Sequence, residues 1–99
     1  MKTQQESVEN NGNLIELKVA GGSQSSKVAG AVVKYMQEGK KVSLIAMGAG
    51  AVNQMVKAIC IARGMAGPYG WNLTIVPGFV NEMVDGVSKT AIRFYISQG

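Results

Sequence analysis

The apolar run Val42 to Met47 leads into Gly48-Ala49-Gly50, and from Ala51 onward apolar residues recur at helical spacing. A strand that turns through two glycines into an amphipathic helix leaves the first helical N–H groups without backbone partners and without a bulky side chain in front of them. Such a place suits a polar or anionic group. The same order occurs once before. Leu14 to Ala20 alternates, with Ile15, Leu17 and Val19 on one face and Glu16 and Lys18 on the other, and Gly21-Gly22-Ser23-Gln24 then breaks the pattern ahead of a second helical stretch.

That helix is expected from Ser25 or Ser26, either of which can cap it through its hydroxyl, to about Glu38, with Gly39 ending it in the left-handed conformation. Val28, Ala31, Val32, Tyr35 and Met36 fall on its core side. The near-continuous apolar character of Val42 to Met47 suits an interior strand parallel to the first. The second helix is expected over residues 51 to 63, with Val52, Met55, Val56, Ile59 and Cys60 inward. Ile61 stands among polar neighbours, which favours a subunit contact there. Gly64, Gly67, Pro68 and Gly70 form a connection to a third strand from Trp71 to Val76.

Pro77 removes a ladder donor, so this strand belongs at an edge or breaks at that point. Phe79 to Val84 continues as an extended arm, Asp85-Gly86 is a hairpin turn signal, and Ser88 to Ser97 returns with Ile92, Phe94 and Ile96 inward. The order is βαβαββ. Right-handed crossovers put both helices on one face of a mixed four-stranded sheet, an α+β two-layer sandwich.

Residues 1 to 12 are polar and too poor in apolar surface to offset the entropy of ordering, so they are expected to be a disordered tail before one domain at 13 to 99. No apolar stretch approaches the roughly 18 residues a membrane span requires, and no secretory core follows Met1. The expected location is the cytoplasm. Residues 13 to 99 carry nine Lys or Arg against Glu16, Glu38, Glu82 and Asp85, a net +5 compatible with phosphate-bearing partners. Histidine is absent, which removes the usual general base and the commonest zinc nitrogen ligand. Cys60, the single cysteine, reads as a core filler rather than a reactive thiol.

Enzyme readings find little to stand on. Dinucleotide binding asks for GxGxxG followed by an acid about twenty residues on, but Asn53 occupies the sixth position and no acid lies between it and Glu82. The phosphate-loop pattern is absent, and the four carboxylates read as solvated surface. No catalytic residue, cofactor or metal is expected. A binding reading rests instead on the two glycine turns, which lie at the carboxyl ends of the parallel strands. Gly21, Gly22, Gly48 and Gly50 bare the helix starts, Lys27 and Lys57 stand a turn or so inside, and Ser23, Gln24, Asn53 and Gln54 supply neutral donors. The alternative is that the glycines permit tight turns and the lysines keep the surface wet.

The run Gly48-Ala49-Gly50-Ala51-Val52-Asn53-Gln54, with Val56 to Ile59, Ile61 to Gly64, Pro68 and Gly70, resembles the stage V sporulation protein S family. Val28 to Ala31, Pro77, Phe79, Asp85-Gly86 and Thr90 to Ile92 extend the resemblance over about residues 13 to 99. It implies an Alba-like fold with strand order 1-2-4-3, a role in sporulation, and a homodimeric, non-enzymatic module that binds DNA or RNA. It also leaves a protein-interaction module without nucleic acid as the second reading. Archaeal Alba proteins carry cations around the turn before the second helix and on the hairpin. This chain has Met47, Ala49 and Ala51 at the first place, and at the second Glu82 and Asp85 beside Lys89 and Arg93.

Overall fold

A computed structural model describes residues 9–11 and 13–99. Its elements run β1 (Glu9–Asn11), β2 (Leu14–Val19), α1 (Ser25–Gln37), β3 (Lys41–Ala46), α2 (Ala49–Ala66), a 3-10 turn (Gly67–Tyr69), β4 (Thr74–Val84) and β5 (Val87–Ser97). The expected four-stranded mixed sheet is present in the order β2-β3-β5-β4, which is 1-2-4-3 when the strands are counted from Leu14. β2 and β3 are parallel, and β5 is antiparallel to both β3 and β4.

A fifth strand joins the sheet where the tail was expected. Glu9–Asn11 pair antiparallel with Leu14, Ile15 and Glu16, using the backbone groups that an edge strand leaves open. Residues 1–8 and 12, the rest of the expected disordered tail, lie outside the described residues.

Period-two burial follows from the alternation in β2. Ile15, Leu17 and Val19 share one core with Val42, Leu44, Ala46 and Ile96 of the sheet and with residues of both helices, so α1 and α2 cover the same face. In α1 the buried side chains are Val28, Ala29, Val32, Val33 and Met36, while Ala31 and Tyr35 are only partly buried. The helix ends as expected at Gly39, whose φ is +83°. The Gly39 N–H donates to Met36 at 3.0 Å and the Lys40 N–H to Tyr35 at 3.1 Å, the paired bonds of a Schellman ending.

The start of α1 differs from expectation. Gln24 is the capping position and no described side chain caps the helix. The serine that matters is Ser23, buried in the turn: its Oγ accepts the Ala20 N–H at 2.8 Å, and its own N–H donates to the Ala20 carbonyl at 3.0 Å. A hydroxyl pulled back onto the preceding strand builds the turn rather than the cap.

The inward face of α2 also differs. Ala51, Met55, Ala58, Ile59, Ala62 and Ala66 are buried, whereas Val56 is 43% exposed and Cys60 is exposed. Cys60 is therefore not a core filler. The reason is helical phase: Ala51, Met55, Ala58, Ile59, Ala62 and Ala66 recur at spacings of three and four on one stripe, and Val56 and Cys60 each stand one residue, about 100°, past a member of it. The burial of Ala62 and Ala66 carries the helix through Gly64 to Ala66, past its expected end at Arg63.

β4 starts three residues later than expected and continues through Pro77 without a break. It is an edge strand, as the proline signalled, and an edge uses one side of its backbone for the ladder, so a proline facing the open side removes no bond. Asp85 (φ +51°) and Gly86 (φ +79°) form the two-residue turn between Val84 and Val87.

Candidate nucleic-acid interface

Parallel pairing of β2 with β3 delivers both chain exits to one rim of the sheet. There the turns touch. A Cβ on Gly21 would lie 3.9 Å from the Ala51 nitrogen, and the Gln54 Nε2 donates to the Ser23 carbonyl at 2.8 Å. The two helix starts are thus side by side and tied together.

No side chain caps either helix among the described residues. In α2 the first intrahelical bond runs from the Val52 N–H to the Gly48 carbonyl at 3.0 Å, which leaves the N–H groups of Ala49, Gly50 and Ala51 ahead of it. Gly48 adopts φ +90° and ψ 157°, a region populated almost only by glycine. A Cβ at Gly48 or Gly22 would meet nothing within 4 Å among the described residues, so each turn has room on that side.

The residues singled out in the sequence divide into two groups. Gly21, Gly22, Gln24, Lys27, Gly48, Gly50, Asn53 and Lys57 are exposed along this rim and the helix faces above it. Neither Lys27 nor Lys57 forms an ion pair among the described residues. Ser23 and Gln54, in contrast, are already engaged. The first is buried in its turn and the second spans the two turns, so both belong to the scaffold that holds the rim.

The opposite face of the sheet spends its cations on its own carboxylates. Arg93 on β5 reaches across β3 to Glu16 on β2, its Nη2 donating to Oε2 at 2.7 Å, while its Nη1 donates to the Tyr95 hydroxyl at 2.9 Å. Lys18 pairs with Glu82 at 2.7 Å, so the end of the β4–β5 hairpin curls back over the sheet, as a strongly twisted two-stranded ribbon does. Ser43 and Ile45 of β3 lie buried on this side of the sheet.

Sequence reasoning missed how the hairpin stands to the rim. β3 pairs only with Ile92–Ile96 of β5, whereas β4 and β5 pair all the way to their turn. The hairpin therefore runs on for about five residues past the end of β3 where both helices begin, and its turn end curls back towards Lys18. Phe79, opposite Ile92 in register, faces the first two turns of α2 across a groove of about 590 Å³ that includes Val52, Asn53, Val56 and Thr90. The signal was available in the strand lengths, eleven residues in β4 and β5 against six in β3.

Among the described residues no helix is long and apolar enough to cross a membrane. Comparison with family models matches residues 15–99 to stage V sporulation protein S. With that match covering all but the first fourteen residues, and with the fold that the resemblance implied now described, the chain belongs to the stage V sporulation protein S family, a family of sporulation proteins.

Proposed function

We propose that this protein is a non-enzymatic nucleic-acid-binding module, homodimeric and cytoplasmic, that acts in sporulation by holding the phosphate backbone of DNA or RNA along the rim of the two helix starts. One observation carries the reading: the contact between Gly21 and the Gly50–Ala51 backbone puts two uncapped helical amino ends next to each other. Aligned N–H groups and the positive ends of two helix dipoles favour phosphate oxygen, and Lys27 and Lys57 add charge without competing carboxylates in ion pairs. The hairpin contributes little charge. Glu82 is taken by Lys18 and Arg93 by Glu16, so binding is modest and salt-sensitive rather than the grip of a cationic arm.

The test is fluorescence anisotropy at low salt with labelled single-stranded RNA, single-stranded DNA and duplex. Saturable binding to at least one is expected. No binding to any at tens of micromolar protein sinks the proposal.

A second reading, a protein-interaction module with the same fold, draws on the exposed apolar side chains Met83 and Val87 near the hairpin turn and Ile61 and Met65 on α2. Its mark is a partner that survives nuclease treatment and the Lys57→Glu substitution.

A further inference from the structure

We infer that the groove between the start of α2 and the overhanging hairpin takes an unpaired nucleobase, stacked on Phe79, so that the ligand of the rim is single-stranded. The inference rests on the nucleic-acid reading above and names its substrate class. Phe79 is 81% exposed, the most exposed of the large apolar side chains described. An aromatic ring left in solvent loses the burial that normally justifies it, and among the described residues no other ring stacks on this one.

The surroundings of Phe79 match a base better than an apolar peptide or a second subunit. The groove has apolar walls in Val52, Val56 and Ile92; the Asn53 amide among them can meet both donors and acceptors on a base edge, and the Thr90 hydroxyl, which donates to the Asn81 Oδ1 at 3.5 Å, can accept. None of its described lining residues is a carboxylate. They include Gly48 and Ala49, so a base on Phe79 places its phosphate against the proposed rim within a single nucleotide. The volume of about 590 Å³ is within the range of small-ligand sites, about 300 to 1,000 Å³. A base inside a duplex keeps both faces stacked on its neighbours and cannot offer one to Phe79.

The experiment measures anisotropy with four probes of equal length: single-stranded RNA, single-stranded DNA, duplex DNA, and a DNA strand of abasic residues that keeps the phosphates. It compares the unaltered protein with Phe79→Ala, Phe79→Leu and Phe79→Trp. Phe79→Ala and Phe79→Leu are expected to weaken single-strand binding about 5- to 150-fold, the range that loss of one base–aromatic stack gives. Phe79→Trp retains it, and binding of duplex and abasic strand is the same in all four proteins. Because Phe79 is exposed, the unfolding midpoints of the variants stay close to that of the unaltered protein.

Equal loss on all four probes, or single-strand binding indifferent to Phe79→Ala, overturns the inference while leaving the rim proposal standing. Absence of binding by the unaltered protein overturns both. If Phe79→Ala converts a dimer to a monomer in sedimentation without changing single-strand affinity, the occupant is a second copy and the inference fails.

Discussion

Gln54, in the second turn of α2, donates a hydrogen bond to the carbonyl of Ser23 in the turn before α1, at 2.8 Å. The two residues are 31 positions apart in the chain, and the bond links the two glycine turns that make up the rim. Gln54→Ala removes the donor and leaves a part-buried carbonyl unsatisfied. The expected loss is about 1 kcal/mol of stability, read as a lower urea midpoint with an unchanged slope. An effect on nucleic-acid affinity without that stability loss would mean that Gln54 serves the ligand and not the scaffold.

Gly48 and Gly22 provide a matched pair. A Cβ at either position would have no neighbour within 4 Å among the described residues, yet of the two Gly48 alone has a positive φ, +90°. Gly48→Ala is expected to destabilise by about 1 to 3 kcal/mol through backbone strain, whereas Gly22→Ala changes stability by about 0.5 kcal/mol or less. Thermal unfolding of the two variants side by side makes the comparison.

Salt dependence separates phosphate contacts from other modes of binding. Lys27→Gln and Lys57→Gln are each expected to weaken binding and to reduce the slope of log K against log salt by about 0.7 on a single strand. Lys89→Gln, on the hairpin well beyond the pairing of β5 with β3, leaves the slope as it was. A slope that no lysine substitution changes would rule out the phosphate rim.

Glu16 and Arg93 form a pair across β3, with side-chain exposures of 16% and 21%. The Arg93 Nε beside it is buried without a hydrogen-bond partner among the described residues. Glu16→Ala leaves that guanidinium poorly compensated and is expected to cost about 2 kcal/mol, more than the pair is worth when both partners are removed. A double-mutant cycle with Arg93→Met measures the coupling, expected at about 1 kcal/mol or more because the two groups are in direct contact.

Much of the fold was legible along the chain. Alternation marked β2, the continuous run Val42 to Met47 marked the interior strand, Gly39 marked a helix ending that the structure reproduces in the same residue, and Asp85-Gly86 marked the hairpin turn. Pro77 pointed to an edge. Each of these is a local signal, carried by backbone preference or by the period of neighbouring side chains. The expectations that failed concern partners distant in sequence. Cys60 and Val56 have the hydrophobicity of core residues, yet which stripe of α2 turns inward is decided by its packing against the sheet and α1, and both fall one residue outside the stripe that runs from Ala51 to Ala66.

The candidate site divides along the same line. The glycine turns and their lysines are visible in a reading of residues 21 to 27 and 48 to 57, since a helix start needs only its own few residues to be recognised. That Ser23 and Gln54 are committed to each other, that Arg93 and Lys18 are already paired, and that Phe79 stands across a groove from the start of α2 all depend on which strands lie next to which and how far each extends. Local chemistry chose the elements; the sheet order and the unequal strand lengths chose which side chains remained free to meet a ligand, because burial and pairing are properties of neighbours in space.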